Sequence, residues 1–176
     1  LRLIDEELDL ALWDVNSFNR RLDMYDGISY RDVKATSPRG NSLQVHVEHL
    51  VNMAHPDLCL IRYSVTSLNY TGRLSLLPLL EANLNDHAEY TEEKIWNVID
   101  SGVSQDCAYL WTQTRREDSQ VCYALSYHFY KNNKEAVHNP IRIEKGKVTG
   151  FSLGADVKPG DTVTLVKYVV VASSLY

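Results

Sequence analysis

An all-β domain, built as an antiparallel sandwich or barrel, is the fold class that the sequence predicts. Period-two alternation of apolar and polar residues runs through most of the chain, and clusters of Gly, Pro, Asn and Asp punctuate the runs. No segment shows the roughly 3.6-residue period of an amphipathic helix, and neither a repeat of about 20 to 50 residues nor a low-complexity tract occurs. The 176 residues suffice for one domain with a sizeable core and no metal or disulfide staple. An apolar fraction of 44% with 23% charged residues is ordinary for a folded protein.

The first alternating run places Phe18, Leu22 and Met24 on one face of a strand and Asn19, Arg21 and Asp23 on the other. Asp26-Gly27 then predicts a tight hairpin, because that pair readily supplies the positive φ angles of a two-residue β-turn, and a second strand begins at Ile28. Leu43, Val45, Val47, His49 and Val51 form the next one-sided run. Leu58-Cys59-Leu60-Ile61 is apolar without interruption, which marks a central strand covered on both faces. Asn69-Tyr70-Thr71-Gly72 reads as a turn, and although the triplet satisfies the glycosylation sequon, its turn chemistry accounts for it.

Leu74, Leu76 and Pro78 alternate in the run that follows, where Pro78 predicts a strand end or an edge because it has no N–H for a ladder. From Ala82 to Asn97 periodicity is lost and polar residues dominate, which describes a long loop of the kind that often carries function. Strand patterns resume at Cys107 to Thr114 and at Val121 to Tyr130, where Val121, Tyr123, Leu125, Tyr127 and Phe129 share a face. Ile141 to Leu153 and Asp161 to Ala172 supply two further strand regions, joined through the turn residues Lys158-Pro159-Gly160-Asp161. About ten strands result.

A net charge of −5 argues against a polyanion partner, since nucleic-acid domains carry a clustered Lys/Arg surplus. The two dense basic spots, Arg20-Arg21 and Arg115-Arg116, each sit beside acids (Asp23; Glu117 and Asp118) and read as solvated mixed faces. No run approaches the ~20 apolar residues of a membrane span, and the opening residues are acidic rather than a basic leader. Cys59, Cys107 and Cys122 fall inside strand-like runs without metal-ligand spacing, so they are expected to be buried free thiols, which favours a reducing compartment.

Candidate chemistry is sparse. His46 and His49, with His55 nearby, resemble a metal cluster, but residues three apart on a strand point to opposite faces. No two-carboxylate pair of the kind glycosidic chemistry needs stands out, and G-x-S-x-G, P-loop and Gly-rich nucleotide motifs are absent. Trp13, Trp111 and most tyrosines fit strand faces where aromatics pack. Tyr90 and Trp96 differ, because they border the polar excursion and are the candidates for carbohydrate contact.

At Phe18 to Arg31 the chain reads FNRRLDMYDGISYR, which resembles the hairpin in the N-terminal domains of family 65 glycoside hydrolases, the maltose, trehalose and kojibiose phosphorylases. Arg20, Leu22, Asp23, Met24, Gly27 and Arg31 carry the likeness. DLCLIRYSVTSLNYTG, from Asp57, is similar to the strand and turn that follow in that family, and the run from Lys167 to Ser174 is similar to its terminal strand. The resemblance implies a galactose-mutarotase-like antiparallel two-sheet super-sandwich over residues 1–176, lacking the family's first strands and followed in the parent protein by a catalytic (α/α)6 barrel.

What it implies for function is a non-catalytic N-terminal domain of an inverting disaccharide phosphorylase or glycoside hydrolase acting on α-glucosides such as maltose, trehalose or kojibiose. The general acid and phosphate site belong to the barrel in that family, so the resemblance implies no catalytic residue and no metal here, with phosphate a co-substrate of the parent rather than a cofactor. Its implied partners are the barrel, the disaccharide and a second copy in a homodimer, in the cytoplasm, with neither nucleic acid nor membrane. The Ala82 to Asn97 excursion would help wall the sugar site. Two other readings stand beside it: an independent carbohydrate-binding module using Tyr90 and Trp96, and a mutarotase-like epimerase with a His acid and a Glu base drawn from His46, Glu48 and His49.

Overall fold

The computed structural model describes residues 1–4, 6–82, 96–115, 118–137 and 139–174. Among them the strands are, in chain order, β1 (Asp14–Asp23), β2 (Ile28–Thr36), β3 (Ser42–Val51), β4 (Leu58–Ser67), β5 (Gly72–Leu76), β6 (Leu79–Glu81) and β7 (Trp96–Val103). They continue with β8 (Cys107–Thr114), β9 (Gln120–Lys131), β10 (Lys134–Glu135), β11 (Ile141–Lys145), β12 (Val148–Val157) and β13 (Thr162–Ser173), and the described residues contain no helix. All strand pairs are antiparallel. A nine-stranded sheet runs β1-β2-β3-β4-β13-β9-β8-β7 with β10 beside β9, and a four-stranded sheet runs β11-β12-β5 with β6 beside β12.

The two sheets close over one core. Leu43, Val45, Val65, Leu125, Phe129 and Val163 of the large sheet and Leu74, Leu76, Phe151 and Leu153 of the small one are buried, each contributing about 1.5–3 kcal/mol of transfer free energy. The rings of Tyr127 and Phe151 meet across the sandwich edge-to-face, with centroids 4.9 Å apart. Gly150 lets the backbones approach: a Cβ there would lie 2.2 Å from the Pro78 carbonyl oxygen. That same oxygen accepts a hydrogen bond from the Phe151 N–H at 3.0 Å. Pro78 is fully buried and separates β5 from β6, so the strand does end there.

Several expectations need correction. The hairpin between β1 and β2 has a four-residue connection, with Asp23 opposite Ile28, and only Gly27 takes positive φ. β1 is not half-buried: Phe18, Leu22 and Met24 are 55%, 64% and 88% exposed. β4 is central as predicted, but Leu58 to Ile61 are only half-buried, because nothing described covers Leu58 and Leu60 on the outer face and the small sheet does not reach Cys59 and Ile61 on the core side. Trp96 and Asn97, expected to belong to the long loop, instead open β7, whose alternation is broken by a register shift between Val98 and Asp100. Ile141 to Leu153 is a hairpin of β11 and β12 turned at Gly146 (φ 58°) rather than one strand.

Aromatic and thiol burial also departs from expectation. Trp13 is buried, but it precedes β1 and donates from Nε1 to the Glu7 carbonyl at 3.1 Å. Trp111 sits on the outer face of β8 and is 37% exposed. All three thiols are free, yet Cys107 is exposed and Cys59 and Cys122 only half-buried, since Cys107 occupies an outward position of β8. Asn69 serves its turn through its side chain, accepting from Ser42 N–H at 2.7 Å and donating to the Gly40 carbonyl at 2.8 Å.

The small sheet packs chiefly on β7, β8 and β9 and leaves part of the large sheet uncovered. Antiparallel partners directly opposite project to the same side, so Phe18, Arg20 and Leu22 share the core-side face with Val33, Arg31 and Ser29, and through β3 with Val45, Val47 and His49. Val33, Val45 and Val47 are buried, whereas Leu22 and His49 stand beyond the small sheet's reach. The core-side face of the large sheet therefore overhangs its lid.

Candidate functional site

The outer face of the large sheet carries a groove of about 520 Å³, lined by Ile28, Leu50, Leu60, Glu48, Arg62 and Tyr130 among others. Register explains its composition. Ile28, Leu50 and Leu60 stand opposite one another across β2, β3 and β4, as do Tyr30, Glu48 and Arg62 in the next row and Asp32, His46 and Ser64 in the row after. The apolar row forms the floor at one end and the polar rows form the rim.

A charged ladder borders this groove. His46 Nδ1 lies 2.6 Å from Asp32 Oδ1, His46 Nε2 lies 3.3 Å from Glu48 Oε1, and Arg62 Nη1 lies 3.7 Å from Glu48 Oε2. The hydrogen bond to Asp32 raises the His46 pKa above its ordinary value, and the bond to Glu48 adds to it. On the same face Arg21 stacks over the Tyr30 ring, 4.3 Å from its centroid. Of the proposed acid–base set, His46 and Glu48 are brought together, whereas His49 projects from the other face of β3. Burial, aided by Arg31 and Arg20, lowers the His49 pKa. His55 lies in the β3–β4 connection, and among the described residues no group of three or more His, Cys, Asp or Glu could hold a metal ion.

Trp96 is half-buried at the start of β7, opposite Thr114 in the register that continues through Thr112 and Leu110 on the core side. It lines a smaller cleft of about 230 Å³ with Leu80, Ala82, Leu110, Thr112 and Tyr123. Its ring thus packs at the open margin of the core, where residue 82 leads into the excursion. Tyr90 and the greater part of that excursion, residues 83–95, lie outside the described residues. Beneath this margin Lys167 points into the sandwich and donates from Nζ to the Leu79 carbonyl at 2.6 Å, and burial lowers its pKa.

Comparison with known proteins agrees with this architecture. The family model described as "Glycosyl hydrolase family 65, N-terminal domain" matches residues 1–176. An α,α-trehalose phosphorylase of Thermoanaerobacter brockii is 24% identical over 172 residues, covering 93% of this chain and 22% of the relative. A kojibiose phosphorylase of Caldanaerobacter subterraneus subsp. tengcongensis is 24% identical over 128 residues, covering 71% of this chain and 17% of the relative. A solved structure from the human microbiome, described as a kojibiose phosphorylase, superposes with a TM-score of 0.75 at 18% identity, over 98% of this chain and 21% of that one, and shares the fold. The chain spans about a fifth of the length of the curated relatives it matches. With the model matched from the first residue to the last, the chain belongs to the N-terminal domain family of glycosyl hydrolase family 65.

Proposed function

We propose that this chain is the non-catalytic N-terminal domain of an inverting disaccharide phosphorylase or hydrolase acting on α-glucosides such as maltose, trehalose or kojibiose. One observation carries the reading: a whole-chain family match in relatives whose names are disaccharide phosphorylases and of which this chain spans only a fifth. In such a parent an (α/α)6 barrel supplies the protonated carboxyl that assists the leaving group, while phosphate as co-substrate, or water, attacks the opposite face of the anomeric carbon. The sandwich packs on that barrel. Trp96, at the mouth of its cleft, would support the excursion as a wall of the sugar site, and the whole would operate in the cytoplasm as a homodimer.

The test is to assay the full-length parent beside the 176-residue chain for phosphate-dependent release of glucose 1-phosphate from maltose, trehalose and kojibiose, and for hydrolysis. Activity confined to the parent is the expected outcome. Turnover by the 176-residue chain would overturn it and direct attention to His46 and Glu48.

A further inference from the structure

The groove on the outer face of the large sheet brings an apolar floor and several uncommitted polar groups to one place. Ile28, Leu50 and Leu60 stand in one row across β2, β3 and β4, and Val166 of β13 continues the floor opposite Arg62. Glu48 and Arg62 rise beside it, with Glu48 Oε2 and Arg62 Nη1 3.7 Å apart. That contact is ionic but too long for a hydrogen bond, so the guanidinium N–H groups are left for another acceptor. Tyr130 enters from β9 opposite Thr164, and Asn133 enters from the β9–β10 turn, whose central residues Asn132 and Asn133 take positive φ of 50° and 63°. Asn132 commits its side chain to Asp161 and to the Thr162 N–H. The Asn133 amide and the Tyr130 hydroxyl make no hydrogen bond among the described residues.

This composition selects a class of ligand. Of the described lining residues Glu48 and Arg62 carry charge, and the two cancel, so the groove has no surplus cation to hold a phosphate or carboxylate. A wholly apolar ligand such as an acyl chain would bury Glu48, Arg62, the Tyr130 hydroxyl and the Asn133 amide without partners. An extended peptide finds no edge to extend, because β2, β3, β4, β13 and β9 each have a neighbour on both sides. A protein surface laid over the groove would desolvate the ladder of Asp32, His46, Glu48 and Arg62, whose side chains are all partly exposed. A small uncharged molecule, dense in hydroxyls and apolar on its C–H faces, meets none of these costs. The groove volume of about 520 Å³ lies within the range of small-molecule sites.

We propose that this groove binds a neutral mono- or disaccharide, with Glu48 accepting from sugar hydroxyls, Arg62 and the Asn133 amide donating to them, and the C–H face of a ring resting on Leu50, Leu60 and Val166. A sugar hydroxyl both donates and accepts, so neighbouring hydroxyls match a carboxylate set beside a guanidinium, and the Tyr130 hydroxyl serves in either sense. The site is built from this chain's own residues and does not depend on what the parent catalyses.

The test follows the methyl groups of Ile28, Leu50, Leu60 and Val166 by NMR in the full-length parent, titrated without phosphate with maltose, with trehalose and, separately, with glucose 1-phosphate. Saturable shifts of these methyls at millimolar neutral sugar are expected, with no tighter binding of glucose 1-phosphate. Methyls that stay still, whether because sugar does not bind or because the parent's own chain covers the groove, would overturn the proposal. Tighter binding of the phosphate ester, or shifts confined to Leu80 and Leu110 beside Trp96, would do the same. Arg62→Ala should weaken binding by about tenfold or more through loss of a charge-assisted donor, and Tyr130→Phe by about threefold to tenfold. Native methyl signals from Leu153 in the core report that each variant is folded, and Tyr130→Phe, which removes a single oxygen, keeps the test open should Arg62→Ala disturb the sheet. Unchanged affinity in a folded variant would overturn the role given to that side chain. Because no turnover is read, failure here leaves the phosphorylase reading standing, and failure of that reading leaves the groove standing.

Discussion

The two ends of the large sheet are built on opposite terms. At one end, where β13 begins, Asp161 accepts from Asn132 Nδ2 at 2.8 Å and from Lys158 N–H at 3.1 Å, and pairs with Lys131 Nζ at 3.0 Å. Its backbone carbonyl takes the Ser67 N–H at 3.0 Å, and Ser67 Oγ donates to the Tyr70 carbonyl at 2.6 Å. Glu6 adds to this end by accepting from Ser37 and Asn41, so the segment before β1 is tied to the β2–β3 turn. At the other end the β1–β2 hairpin leaves apolar side chains exposed and sets two arginines opposite each other with no ion pair among the described residues. An end in which each polar group is satisfied internally is finished by its own chain. An end that violates local rules without compensation is where a function or a partner is to be sought.

The largest test of that contrast compares aromatic truncations. Phe151→Ala, in the covered core, should cost about 3–5 kcal/mol, whereas Phe18→Ala should stay within about 0.5 kcal/mol in the 176-residue chain. Urea unfolding followed by tryptophan fluorescence measures both. Comparable losses would break the comparison, since Phe18 would then be packing on something within its own chain. Next in size is Gly150→Ala: the added methyl meets the Pro78 carbonyl, so β6 must shift away from β12, at a cost of about 1–3 kcal/mol. A neutral result in the same unfolding experiment would show that the close backbone approach is not what joins the small sheet.

Much of this architecture was legible in the sequence, and the gaps have physical causes. Leu43, Val45 and Val47 announced a one-sided strand because turn, register and burial agree there. β8 and β9 were readable for the same reason, and Pro78 marked a true strand end. β7 was missed because the irregularity between Val98 and Asp100 shifts the phase of alternation halfway along the strand. The turn at Gly146 was hidden inside a run rich in apolar residues, where a single glycine is weak punctuation. Phe18 and Leu22 alternated as though covered, but alternation reports which face is apolar and never what covers it. The opposition of Arg20 and Arg31 needs the register of two strands, and the contact of His46 with Asp32 needs it too. Of the sequence-nominated site residues, Trp96 could be placed at a cleft, but its inward-facing position depends on a strand that the sequence did not reveal.

The locked end should reveal itself through acid. The bonds from Asn132 and Lys131 hold the Asp161 carboxyl at about 2, below the ordinary 3.8. A depressed carboxyl contributes stability that is complete above its ordinary value and is lost as pH falls toward 2. Asp161→Ala should therefore lower the urea midpoint at neutral pH, and the gap from the parent sequence should close as the buffer is taken from pH 4 to pH 2. A gap independent of pH in that window would mean that the turn's geometry, rather than the ionised carboxylate, holds this end.

The smallest effect belongs to two histidines three residues apart on β3, which sample the two faces of the same sheet. His46, against Asp32 and Glu48 and beside Tyr30, should titrate above 6.5, and His49, desolvated and near Arg31 and Arg20, should titrate below it. The raised value means that His46 contributes its stability fully below 6.5 and loses it as pH climbs through the folded value. Because its side chain is 38% exposed, the amount is that of a screened surface pair, about 0.2–1 kcal/mol. Resonances of the two imidazoles followed by NMR from pH 5 to 8 should move apart in opposite directions, and His46→Gln should flatten the fall in stability above pH 6.5. If His49 instead titrated above 6.5 in the isolated chain, burial and the two arginines would not be what governs its protonation.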